Sequence, residues 1–243
     1  MPERDSWAQR SRPYDEAMVE EARPRGRPRK DETPAPEEEV LRAALRAFAT
    51  HGFNGVSIRT LNRELGVSHN LLHQRFGSKE AVWRAAVDWG FGHLVAELLS
   101  TDDESAKPLA RLHSFTRTFV HFSARHPELP RLMNIEGAEP SERLTYITDT
   151  FVEPIISRFL PLRDELVERG EIRPVPPEVI FHMITSGGGA MFASRGLTER
   201  LFTDAPLAAE RADEYADTFA DLIINALRLP DAADQAVSPG GRP

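Results

Sequence analysis

A chain of 243 residues that is 40 % hydrophobic and holds no cysteine is long enough for a sizeable core, but it excludes a disulfide framework, thiolate metal sites and thiol redox sensing. No stretch reaches the ~20 uncharged apolar residues of a membrane span, and the opening MPERDSWAQR lacks the apolar run of a secretory signal, so a cytoplasmic protein with no membrane partner is expected. The net charge of −8 is unevenly laid out: residues 1–22 carry 3 basic and 6 acidic side chains, residues 23–84 carry 12 and 7, and residues 85–243 carry 15 and 25. A basic N-terminal block ahead of an acidic body suits local contact with nucleic acid and repulsion elsewhere.

Residues 1–35 are polar, rich in proline and without a useful apolar stripe, the pattern of a disordered basic arm. From Pro36 on, Leu41, Ala44, Leu45 and Phe48 recur at helical spacing behind Glu37, Glu38 and Glu39, whose charges favour a helix N-terminus, and Gly52 ends that helix. Ser57 is a candidate N-cap for a short helix with Ile58, Leu61 and Leu65 on one side, broken at Gly66-Val67-Ser68. Ser68 is in turn a candidate cap for a third short helix that turns Leu72 and Phe76 inward and stops at Gly77-Ser78. Val82, Ala85, Ala86 and Trp89 then open a longer fourth helix.

Apolar sets at Leu112, Phe115, Phe119 and Phe122, and at Leu144, Ile147, Phe151, Ile155, Leu162 and Leu166, predict further helices. Pro154 and Pro161 fall inside the second set, so it should be kinked or interrupted, and such a bend opens space. Two last helices are expected near 177–200 and 209–228, the first built on Val179, Ile180, Met183, Ile184, Met191 and Phe192, the second on Phe219, Leu222, Ile223, Ala226 and Leu227. Gly187, Gly188 and Gly189 weaken the first of these, which points to close helix approach or a bend. No strand pattern or internal repeat emerges. The expectation is an all-α protein: a basic arm over 1–35, a three-helix helix-turn-helix domain over 36–84, a larger helical domain over 85–229 and a flexible tail over 230–243.

Two short helices joined by a glycine turn, Ser57 to Phe76, match the helix-turn-helix, whose second helix enters the major groove. The runs Gly52-Phe53-Asn54-Gly55-Val56-Ser57-Ile58-Arg59, Leu65-Gly66-Val67-Ser68 and Leu72-His73-Gln74-Arg75-Phe76-Gly77-Ser78-Lys79-Glu80 resemble the TetR family of one-component bacterial regulators. The resemblance implies a transcription regulator, by default a repressor, that grips a near-palindromic double-stranded operator as a homodimer and is released by a small molecule. It implies a ligand pocket between the central helices and a dimer seam of the last two. Three positions depart from the family's common pattern: His73 stands where a tyrosine is usual, Arg75 replaces an aromatic and Asn62 replaces a small alanine. His73 can still donate to a phosphate, with a different reach.

On chemistry, Asn70 is the best candidate base reader, its amide pairing bidentately with adenine, and Arg59 can fork onto guanine. His69, Leu71 and Gln74 offer a hydrogen bond, a thymine-methyl contact and a second amide contact, while Ser57, Ser68, His73 and Lys79 suit phosphates. Upstream, Arg25-Gly26-Arg27 within Pro24–Lys30 resembles an AT-hook for a narrow minor groove, with a merely basic tether as the alternative.

In the larger domain Phe115, Phe119, Phe122, Met133, Phe151, Phe159, Met183 and Phe192 are candidate walls of an apolar pocket, with Asn134, Glu136, His121 and Thr150 as polar anchors, suiting an apolar or aromatic effector. Thr185-Ser186-Gly187-Gly188-Gly189 lacks the flanking glycine of a nucleophile elbow and the lysine of a phosphate loop, so neither catalysis nor a cofactor is expected. His69 and His73 have no third ligand nearby, so no metal is expected either. An architectural DNA-binding protein without a sensor is the competing reading.

Overall fold

The computed structural model describes residues 36–68, 70–202 and 211–229. Arg25, Gly26 and Arg27 of the expected hook, His69 in the turn, and the tail from 230 on lie outside the described residues. Helix α1 (Glu37–Gly55) buries Val40, Leu41, Ala44, Leu45 and Phe48, and Gly52, at φ 68°, breaks it before its last turn. Helices α2 (Ile58–Glu64) and α3 (Leu71–Phe76) follow, then α4 (Lys79–Ser100). Leu61, Leu72, Val82 and Trp83, all fully buried, join α1 in the core of the head. Helix α4 runs unbroken past residue 84, where the sequence suggested a domain boundary.

Ser57 caps α2 by accepting the Thr60 N–H at 3.0 Å, and Ser78 caps α4 by accepting that of Ala81 at 3.1 Å. The cap expected from Ser68 does not form. The N–H groups of Gly66 and Val67 fold back onto the carbonyls of Arg63 and Asn62, so the turn consumes two more residues and α3 starts at Leu71. The donor left open at the start of α3 is met across the motif, where buried Asn62 accepts the Leu72 N–H through Oδ1 at 3.3 Å. The unusual Asn62 thus ties the two helices of the motif together.

The body holds α5 (Pro108–Arg125), α6 (Glu128–Glu136), α7 (Glu142–Ile147), a π-helical turn Thr148–Val152 and α8 (Glu153–Glu168). Beyond these lie α9 (Pro177–His182), a second π-helical turn Met183–Gly187, α10 (Gly188–Ala193), α11 (Arg195–Leu201) and α12 (Ala212–Leu227). The first π turn sits against Pro154, which has no N–H to continue an α ladder; just ahead of it Glu153 bonds back five residues to the Thr148 carbonyl. Pro161, by contrast, is accommodated inside α8. The continuous helix expected over 177–200 is split three ways, by the second π turn and by Ser194. Its glycines allow backbone contact: a Cβ on Gly188 would lie 2.7 Å from Val120 and 3.2 Å from Phe219, and one on Gly189 would lie 2.9 Å from Pro130.

Helices α5 and α12 run antiparallel and are laced by charge. His113, Arg117 and His121, four residues apart on α5, face Asp221, Asp217 and Asp213, four apart on α12, with His113 Nε2 3.1 Å from Asp221 and Arg117 2.8 Å from Asp213. Among the described residues the extended structure is limited to one isolated bridge, Ile172 with Arg228.

Just past α4, Asp102 has a side chain only 1 % exposed and takes hydrogen bonds from Arg111 at 2.8 and 2.9 Å and from Arg158 Nε at 2.8 Å. It pins the end of α4 to α5 and α8. The Arg111 hydrogen bonds, followed by those of Arg158, hold its carboxyl below the usual carboxylate range against the cost of desolvation. A depressed folded-state pKa stabilises above the unfolded value of about 3.9 and is lost as pH falls through the folded one. Asp102→Asn should therefore cost about 1–3 kcal/mol at pH 7, with the gap to wild type closing below about pH 4 in denaturant titrations at several pH values. Gly188→Ala should overpack the junction of α10 with α5 and α12 and cost about 1–3 kcal/mol by thermal denaturation.

Candidate DNA-reading face and effector cavity

On α3 the inward Leu72 and half-buried Phe76 leave Asn70, His73 and Gln74 on the opposite, exposed face, with Leu71 half-buried at its edge. Asn70 occupies the N-cap position without spending its side chain on a cap bond. Ser57, Arg59 and Ser68 are exposed as well. Lys79 is placed differently from the sequence expectation: its ammonium donates to the carbonyls of Phe53 and Val56, at 3.0 and 3.1 Å, and lies 4.2 Å from the centroid of the Phe53 ring. Its charge closes the turn between α1 and α2 from within. Arg75 is paired with Glu37 of α1 and so braces α3 against it.

The body contains a cavity of about 670 Å³. Phe91, Leu94 and Leu98 of α4, Phe115, Phe119 and Phe122 of α5, and Met133 and Asn134 of α6 line it, with Phe151 and Val152 of the first π turn and Ile155 and Phe159 of α8. In the wall, Phe115 and Phe159 pack directly on each other with ring centroids 4.0 Å apart, and Phe91 stacks on Phe151 at 5.7 Å. The second π turn adds Ile184, Thr185 and Ser186. Arg163, a cation on the wall, donates to Asp164 and to the Val175 carbonyl, each at 2.6 Å, while its Nε is buried without a hydrogen-bond partner. Glu178 and His182 also line the cavity, so the wall suits a mostly apolar molecule and offers a few polar groups at its edge.

Of the candidate ligand residues, Phe115, Phe119, Phe122, Met133, Asn134, Phe151 and Phe159 do converge on this cavity. Five others do not line it and require correction. Glu136 points away, buried at 3 % exposure, and its carboxylate takes both bonds of Arg143 Nε, at 3.1 and 3.0 Å. Met183 begins the second π turn, where the extra residue breaks the α-helical count, so that Ile184 turns inward and Met183 is left exposed. His121 is taken up by Asp213 and Glu97, Thr150 is exposed, and Phe192 packs with Val120 and Ala216 in a separate small core. Sequence reasoning missed the wall from α4, since Phe91, Leu94 and Leu98 read as ordinary core until the neighbouring helices are in place.

Head and body meet through α1, α4, α6 and α7. Arg143 of α7 lies 4.4 Å from the centroid of Phe53, the ring that Lys79 also covers, so one aromatic ring carries a cation from each side. One turn further along α7, the Tyr146 hydroxyl donates to Asp88 at 2.5 Å while Arg84 lies 4.4 Å from its ring. Burial, and then the Asp88 carboxylate, raise the Tyr146 pKa, so that it remains a donor at neutral pH.

Comparison with known proteins agrees with this architecture. Residues 40–86 match the bacterial regulatory proteins of the tetR family, and residues 108–223 match the tetracyclin repressor-like C-terminal domain. The HTH-type transcriptional regulator RutR of Escherichia coli (strain K12) is 27 % identical over 145 residues, 60 % of this chain and 68 % of that protein. The ketosteroid transcriptional regulator KstR2 of Mycobacterium tuberculosis superposes with a TM-score of 0.65 at 17 % identity, over 81 % of this chain and 97 % of its own. AibR, solved in complex with isovaleryl coenzyme A and operator DNA, gives 0.57 at 20 % identity over 79 % and 97 %. These structural likenesses speak to the fold, and the sequence matches to head and body together carry the assignment: the chain belongs to the TetR family of bacterial transcriptional regulators.

Proposed function

We propose that this regulator binds a near-palindromic operator as a homodimer and is released from it by a small apolar or aromatic effector held in the 670 Å³ cavity. The observation that carries the reading is the pairing of an outward-facing α3 with a phenylalanine-walled cavity whose α4 wall continues into the head. Asn70 and Arg59 are the base readers, Leu71 and Gln74 flank them, and Ser57, Ser68 and His73 meet phosphates. His69 and the Arg25-Gly26-Arg27 hook extend the DNA contact on chemical grounds alone. The dimer seam uses α9, the second π turn, α10 and α12, where exposed Val179, Met183 and Leu222 offer apolar surface. The cavity disfavours an architectural protein without a sensor. KstR2 is, by its description, a ketosteroid transcriptional regulator, and a ketosteroid is a mostly apolar molecule suited to a first test.

Asn70→Ala should weaken binding to an operator duplex by ~1–3 kcal/mol and leave random duplex almost unaffected. A fluorescence-anisotropy titration on both duplexes checks this, and equal losses on the two would remove Asn70 from base reading. Native mass spectrometry of the protein from its host should show a co-purified, mostly apolar molecule in equimolar amount; a wholly polar one would contradict the cavity chemistry.

A further inference from the structure

The cavity and the head share one short element. Phe151, in the first π turn, is part of the cavity wall, stacks on Phe91 of α4 and meets Tyr146 edge-on with ring centroids 6.3 Å apart. Tyr146 in turn packs on Trp83, at 6.1 Å, and holds Asp88, while Arg143, three residues earlier and so on the same face of α7, covers Phe53 of the head. Glu136 fixes Arg143 from behind at the end of α6. Phe151 and Val152 of the five-residue π turn therefore line the cavity directly beyond the α7 side chains, Arg143 and Tyr146, that grip the head.

A π turn is one residue away from regular α geometry. Each residue of an α-helix advances about 100° and 1.5 Å, so even partial relaxation of the turn moves Arg143 and Tyr146 around their axis relative to α8. A cation held 4.4 Å from a ring centroid has little tolerance for such movement. Pro154 keeps the turn from settling into a continuous α ladder unaided, because it can never supply the missing N–H.

We propose that α7 with its π turn is the lever by which cavity occupancy repositions the DNA-reading head, with Arg143 and Tyr146 as positioning residues and Phe151 as the part that senses the effector. This rests on the reading of the cavity as the effector site. Occupancy that displaces Phe151 turns α7, loosens Arg143 from Phe53 and Tyr146 from Asp88, and changes the setting of α3 through the core residues Phe53 and Trp83, whose rings meet edge-on at 6.5 Å.

The test is a double-mutant cycle on operator affinity in the full-length protein, using a duplex selected from random-sequence DNA by the wild-type protein itself. Phe151→Leu should shift the operator Kd by about three- to thirty-fold. In an Arg143→Gln background the same change should shift it less than twofold, and Arg143→Lys, which keeps a cation for the ring, should restore the larger shift. Thermal denaturation of every variant sets a working temperature below all the midpoints, which separates loss of fold from loss of coupling. An equal shift in both backgrounds, or no shift from Phe151→Leu in the wild-type background, would overturn the lever. Nile red, an uncharged apolar dye, tests the underlying reading separately: wild type and Arg143→Gln should take it up alike. Failure of wild type to bind the dye would count against the cavity as effector site, while the cycle still decides the role of α7.

Discussion

Helix α4 is the member on which the other arrangements depend. Over 22 residues, or about 33 Å at 1.5 Å per residue, it changes surroundings without changing conformation. Its first half supplies Val82, Trp83 and Ala86 to the core of the head; its second half supplies Phe91, Leu94 and Leu98 to the cavity wall. Ser78 fixes its start and Asp102, held by two arginines, fixes its end. A rigid rod anchored at both ends makes the head and the cavity parts of one mechanical object.

Around that rod the body reconciles tight packing with a large void. Where helices touch backbone to side chain, at Gly188 and Gly189, no space is left for a methyl group. Where the cavity lies, two π turns widen the helices that face it, and rings of phenylalanine hold the wall apart. The antiparallel ladder of His113, Arg117 and His121 against three aspartates between α5 and α12 supports the far side, so that α5 presents one face of aromatic side chains to the void and another of polar donors to its neighbour.

The family resemblance and the geometry inform different questions. Membership of the TetR family accounts for the helix-turn-helix and for the layout of a helical body behind it. The cavity wall is dominated by aromatic and aliphatic side chains, among which Arg163 donates to Asp164 and to the Val175 carbonyl and keeps its Nε without a partner. The departures from the family pattern prove structural in two cases: Asn62 ties α2 to α3 and Arg75 braces α3 on α1. His73 stays on the exposed face of α3.

Much of the helical order was legible in the sequence, because amphipathic spacing, capping serines and glycine stops are local signals that act over one or two turns. Leu41 to Phe48, the Ser57 cap, the inward Leu72 and the break at Gly52 all follow from such short-range rules. The outward face of α3 follows too, since burying Leu72 and Phe76 leaves Asn70, His73 and Gln74 no other direction. Only the tertiary structure decided the rest. That α3 starts at Leu71, that Lys79 turns back onto Phe53, that Glu136 serves Arg143 instead of a ligand and that Met183 faces outward all depend on partners far away in sequence or on a π turn that shifts the helical count. A periodicity argument assumes 3.6 residues per turn throughout and sees each helix alone. The cavity wall is made where six helices converge and where that assumption fails twice.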